Sequence, residues 1–218
     1  MDDDERGPPP SRIGEPDSSS SAGYVVRDVV SSLLLVAAIG VAVFLVSGVW
    51  PPLVAIESGS MQPNMQKGDM VFVTEPDRFA PEESFRGTGI VTHASGADQG
   101  HRAFGKPGTV VVYDAPGRNG PPIIHRVRFW VEPGENWYDR ANEQYLDADS
   151  CEELRNCPAP HAGFVTKGDN NAYYDQASGI APPVKPQWVT GTARYRVPYV
   201  GCARLAFSPN SCRMPAVS

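Results

Sequence analysis

Positive charge is in short supply in this chain. Its 218 residues hold 19 Lys and Arg against 25 Asp and Glu, a net of −6. The basic surplus that displaces counterions from nucleic acid is missing, so no nucleic-acid partner is expected. Cysteine is sparse as well: the four present are too few for a mini-protein held together by disulfides. Histidine occurs only at His93, His101, His125 and His161, and neither CxxC nor HExxH spacing occurs. No metal and no other cofactor is therefore expected. No internal repeat is visible. One stretch lacks charge altogether: residues 29–56 contain no Asp, Glu, Lys or Arg.

That uncharged stretch is the first positive feature. Pro51 and Pro52 would break a helix, so the helical part is placed at residues 29–50. At about 1.5 Å per residue this segment covers roughly 33 Å, enough for a bilayer core of about 30 Å. Trp50 and Tyr24 stand where interfacial aromatics belong. A cleavable signal peptide would have a shorter apolar core and a basic leader, whereas the leader here is acidic. Residues 1–22 are read as a disordered acidic tail rich in Pro and Ser, residues 23–50 as the anchor, 51–207 as the main domain and 208–218 as a C-terminal tail. Arg6, Arg12 and Arg27 precede the span, and Lys67 is the first basic residue after it. This bias predicts a cytoplasmic N-terminus in a single-pass cell-membrane or endoplasmic-reticulum-type protein, with the body outside the cytoplasm. Two local cysteine pairs, Cys151 with Cys157 and Cys202 with Cys212, would suit an oxidising compartment, with free buried thiols as the alternative.

Proline and glycine number 22 and 21, which favours short strands and turns over a helical bundle. Strands are expected at residues 70–74, 109–113, 123–131, 163–167 and 189–193. The run 123–131 alternates, placing Ile123, His125, Val127 and Phe129 on one face and Ile124, Arg126, Arg128 and Trp130 on the other. Residues 79–107 and 134–160 read as long loops. Residues 194–207 mix arginines with aromatics and fit either an interfacial segment or a final edge strand. The expected fold is mainly β: a transmembrane helix followed by an antiparallel domain.

Chemistry concentrates in three places. Ser58-Gly59-Ser60-Met61 follows the anchor closely, His125 lies within a strand, and Asp169 and Asp175 follow the strand 163–167. A serine needs a base, and a neutral imidazole held by a carboxylate can serve. Either aspartate could hold it, and both are also ordinary turn residues.

These motifs, SGSMQP with KGDMVFV after it, then IIHRV, then KGDNNAYYD, resemble those of type I signal peptidases of the archaeal and endoplasmic-reticulum branch. The resemblance covers roughly residues 29–206. It implies a signal-peptidase-like β-domain in which Ser60 is the nucleophile and His125 the general base. Asp175 would complete the triad, Asp169 would be the acid of the GDN motif, and Ser58 would be an oxyanion donor alongside the backbone N–H of Ser60. The bacterial branch has a lysine where His125 stands. Expected partners are the signal peptides of secretory preproteins, membrane lipid and the protein-export translocon. Small S1 and S3 pockets are implied, with Met61 and the strand 70–74 nearest. The competing reading is a membrane-anchored β-module that binds a partner without catalysis.

Overall fold

The structure, a computed structural model, describes residues 18–206. It divides into two compact units, with the boundary between Ala42 and Val43. Helix α1 (Ser18–Ser47) starts inside the segment expected to be tail and ends three residues before the expected Trp50. The rest of the two expected tails, and Cys212, lie outside the described residues. Among the described residues α1 is the one helix long and apolar enough to cross a membrane. It ends at Gly48, whose φ of +77° is the left-handed value that closes helices and favours glycine.

The second unit is built on a six-stranded sheet in the order β1-β2-β8-β5-β6-β7, every neighbouring pair antiparallel. The strands are β1 (Leu53–Ala55), β2 (Met70–Thr74), β5 (Val110–Tyr113), β6 (Ile123–Val131), β7 (Gly163–Lys167) and β8 (Val189–Val197). A separate hairpin pairs β3 (Arg102–Ala103) with β4 (Lys106–Pro107). Two short helices, α2 (His93–Gln99) and α3 (Gly201–Leu205), complete the elements that matter here.

The mainly β architecture is as expected, with three local departures. The loop expected over 79–107 contains α2, capped by Thr92 Oγ1 on the Ser95 N–H, and the β3–β4 hairpin. Strand β8 extends to Val197 and is central, flanked by β2 and β5, so it is not a final edge strand. Strand β6 does not keep one alternation. A bulge between Val127 and Phe129 shifts the register, and one extra residue sends every later side chain to the opposite face. Ile123 and Val127 therefore share a cluster with Trp130, while Phe129 packs with Val131.

The sheet is covered on both faces. Val110 and Val112 of β5 pack with Met61, Met65, Val71 and Val73, while Val111 and Tyr113 pack on the other side with Val127, Phe164 and Val184. The loop at 134–160 forms a third cluster around fully buried Trp137, with Leu146, Leu154, Val165 and Tyr174. The Cys151–Cys157 disulfide closes a short turn within this loop. Cys202 is also disulfide-bonded.

Candidate active site

The serine-bearing turn, residues 57–61, leaves β1 and is fastened to the turn that follows β7. Asn170 N–H donates to Ser60 O at 2.8 Å, Asn170 Nδ2 donates to Gly59 O at 3.2 Å, and Asp169 N–H points at Met61 Sδ at 3.4 Å. This approach is possible because position 168 is glycine: a Cβ there would lie 2.7 Å from Ser60 O and 2.8 Å from the Asn171 side chain. The KGDN turn thus braces the backbone of the SGSM turn. Ser60 Oγ lies 3.1 Å from Ser58 Oγ, and Ser60 N–H donates weakly to Ser58 Oγ at 3.5 Å.

His125 enters from β6, opposite Val111 of β5. It is 5% exposed, and Nδ1 sits 2.7 Å from Asp175 Oδ2. That oxygen also accepts Tyr113 OH at 3.0 Å and Thr166 Oγ1 at 2.7 Å. Asp175 Oδ1 is buried too and has no hydrogen-bond partner among the described residues, so the carboxylate's contacts converge on the oxygen facing the imidazole. Burial, and then the adjacent Asp175 charge, push the Tyr113 phenol well above its ordinary pKa. Tyr113 therefore stays a protonated donor at any working pH.

Asp169 faces elsewhere. Its carboxylate receives a two-pronged contact from Arg126, Nε to Oδ1 and Nη2 to Oδ2, each at 2.8 Å. Asn64 Nδ2 adds a third bond at 2.8 Å. Arg126 is fully buried and spends Nη1 on the carbonyls of Ala103, Lys106 and Gly108. Burial alone would raise the Asp169 pKa, but the hydrogen bond and charge of Arg126 outweigh it and hold the carboxyl below its ordinary value. Next to it Lys167 is buried, with Nζ bonded to Gly168 O at 3.1 Å and 4.2 Å from the Tyr145 ring centre. Burial and then the Arg128 charge lower its pKa.

One pocket of about 700 Å³ collects the serines and the histidine. Ser58, Ser60, Met61 and His125 line it, with Val73 of β2 and apolar neighbours such as Val54 and Ile124. The other three histidines are elsewhere: His101 Nε2 lies 3.4 Å from Thr109 Oγ1, His161 packs edge-on to Trp188, and His93 opens α2. Tyr113 and Thr166 were not singled out from sequence. Each is an ordinary strand residue, and only the pairing of β5, β6 and β7 brings their hydroxyls to one carboxylate.

No family model matches the chain. It is similar to the signal peptidase complex catalytic subunit SEC11 of Schizophyllum commune, 28% identical over 165 residues, which are 72% of this chain and 65% of that protein. The protein of the same name from Arthroderma otae is 29% identical over 164 residues, 73% of this chain and 68% of the relative. That of Aspergillus terreus is 27% identical over 172 residues, 78% and 71% of the two chains. The chain thus spans about two thirds of the length of these relatives. The resemblance read from the motifs is borne out.

Proposed function

We propose that this chain, a relative of the catalytic subunits of signal peptidase complexes, is a membrane-anchored serine endopeptidase that removes signal peptides from exported preproteins. The observation that carries this reading is a single arrangement. Ser60 and His125 line one pocket, and His125 Nδ1 is held at 2.7 Å by a buried aspartate that two further hydroxyls restrain. A partner-binding module has no need of such a carboxylate.

In the proposed reaction Asp175 fixes the His125 proton on Nδ1 and leaves the Nε2 lone pair for the Ser60 hydroxyl. Ser60 Oγ attacks the scissile carbonyl as its proton passes to Nε2. The negative oxygen that develops takes its donors from Ser58 Oγ–H and Ser60 N–H, which already adjoin each other. One such donor is worth about 3–4 kcal/mol in the transition state. His125 then protonates the leaving amine, and a water activated by the same imidazole releases the acyl group from Ser60. Asp169 takes no part in proton transfer. Through Arg126 and Asn64 it holds the turn that braces Ser60.

The substrate class follows from the relatives and from chain distance, since Ser60 lies 13 residues beyond the last residue of α1. An apolar segment ending in small residues at the membrane boundary suits such a nucleophile. The proposed orientation has the N-terminus in the cytoplasm and the β-domain outside, supported by the arginines before the span and by the Cys151–Cys157 disulfide. The translocon is the proposed source of substrate. The test is processing of a preprotein in membranes by the wild type and by Ser60→Ala and His125→Ala. Each variant should lose cleavage and keep its fold, and the double variant should be scarcely worse than either. Cleavage retained by Ser60→Ala would end the serine-protease reading.

A further inference from the structure

Arginines elsewhere in the β-domain pair with acids: Arg78 with Glu75, Arg86 with Glu132, Arg140 with Glu135 and Arg196 with Asp69. The junction of β6 and β7 departs from this. The register there sets Arg126 directly opposite Lys167, and like charges facing each other across two strands repel. Both residues are buried. Asp169 answers the Arg126 guanidinium with its two-pronged contact. The Lys167 ammonium meets only the Gly168 carbonyl and the Tyr145 ring.

Further bases gather round the same guanidinium. Arg126 Nη1 donates to Lys106 O at 3.1 Å and to Gly108 O at 2.9 Å. Gly108 in turn lies against His93: a Cβ on it would come within 3.0 Å of His93 N and Cα. The bulge in β6 leaves Arg128 unpaired in the ladder. Its guanidinium lies 5.6 Å from the centre of the Tyr145 ring, which Lys167 Nζ approaches to 4.2 Å, and it also bonds the Tyr174 phenol. His93, Lys106, Arg128 and Lys167 thus surround one buried ion pair. Among the described residues none of the four has a carboxylate within ion-pair distance.

The repulsion registers in their titration. Burial, and then the Arg128 charge, lower the pKa of both His93 and Lys167, and Lys106 acts on both in the same sense. Two carboxylates oppose this, and both are already committed. Asp169 serves Arg126 and Asn64, while Asp175, which acts on Lys167, serves His125, Tyr113 and Thr166. A chain of net charge −6 has acids to spare, yet it sets none of them against these four bases.

Their burial narrows what would fit. Lys167 is 5% exposed, and His93, Lys106 and Arg128 are half-buried. Extended surface lysines suit a broad acidic partner, whereas withdrawn bases admit a small oxyanion of high charge. A guanidinium fork, two ammonium groups and an imidazole are the donors that phosphate oxygens take.

We propose that His93, Lys106, Arg128 and Lys167 form a binding site for a phosphate group. None of the four lines the serine pocket, so this site is separate from it. The phosphate is water-borne rather than a bilayer headgroup, because β7 is the edge of the sheet opposite β1, the strand that follows α1. Through Lys167, whose Nζ holds Gly168 O, occupancy would steady the KGDN turn. The site does not depend on the protease reading, and its test does not measure cleavage.

The test follows thermal unfolding of the full chain in uncharged detergent micelles by tryptophan fluorescence. Inorganic phosphate replaces chloride at constant ionic strength, which holds screening fixed. Phosphate should raise the melting temperature along a saturating curve, as a ligand of the folded state does. Lys106→Gln and Arg128→Gln should each raise the half-saturating concentration by about tenfold, the effect of losing one charge-assisted contact. Lys67→Gln, which removes an exposed lysine from the turn before β2, should match the wild type. Arg128→Gln also loses its bond to Tyr174, so half-saturation is compared rather than starting temperature, and Lys106→Gln decides if Arg128→Gln does not fold. A rise that is linear in phosphate and equal in all the proteins is a general effect of an excluded salt and overturns the proposal. Repeating the titration in phosphatidylcholine vesicles with and without phosphatidic acid separates the two sources of phosphate. An unchanged curve supports a water-borne ligand. Loss of the response to free phosphate only where the acidic lipid is present would put a headgroup in the site and overturn the water-borne assignment.

Discussion

Asp169 and Asp175 are six residues apart and do different work. Asp169 neutralises a fully buried guanidinium, so Asp169→Asn leaves Arg126 charged and short of its partner. Breaking a buried pair in this way costs about 3–5 kcal/mol, and the variant should melt well below the wild type at pH 7. Because the folded carboxyl is held below its ordinary pKa, its stabilising effect is complete above the unfolded value of about 3.9 and fades as pH falls through the lower folded value. The gap between wild type and variant, followed by thermal melts, should therefore narrow below about pH 4. Asp175→Asn should act on turnover instead, with kcat falling on the order of 10⁴-fold, the scale seen when the imidazole loses its orienting carboxylate. Its melting temperature should fall less than that of Asp169→Asn. An active Asp175→Asn together with a stable, inactive Asp169→Asn would reverse the assignment.

Among the elements, the contact between two turns matters more than any strand. The turn after β7 meets the serine turn through a glycine with no room for a methyl group: the obstructing atom is the backbone oxygen of Ser60, which cannot swing aside as a side chain would. Gly168→Ala should therefore part the Asn170 N–H from Ser60 O and misplace Ser60, the proposed nucleophile. A 1 Å displacement costs about 10²-fold in rate, with the circular dichroism of the sheet unchanged. Wild-type cleavage by Gly168→Ala would show that the two turns do not set each other's position. Most strands were legible in sequence, since β2, β6 and β7 carry their own β-branched runs between turn residues. The three-residue β1 was not, because nothing in Leu53-Val54-Ala55 separates it from the apolar run before it. The bulge in β6 was equally invisible: it follows from how β6 pairs with β7, not from the residues of β6 alone.

For the whole molecule the consequence to test is topology. In sealed inside-out membrane vesicles the β-domain would face the lumen. A cysteine introduced by Asp139→Cys should react with a membrane-impermeant maleimide only after detergent is added. Immediate labelling in the sealed vesicles would place the domain in the cytoplasm and contradict the proposed orientation.

By itself the sequence determined the features that depend on neighbours along the chain. These are the uncharged span followed by two prolines, the strand character of the body, and the serine and histidine motifs whose order carries the family resemblance. Tertiary structure alone decided which aspartate meets His125, because one turn after β7 presents two carboxylates and only strand pairing selects between them. It also decided that Arg126, expected on the strand face opposite His125, is fully buried: its charge is met by one aspartate 43 residues away and by carbonyls from the β3–β4 hairpin. The same holds for Tyr113 and Thr166. Hydroxyls on separate strands converge on one oxygen only after the sheet has closed, and the contacts that align the candidate site join residues far apart in the chain.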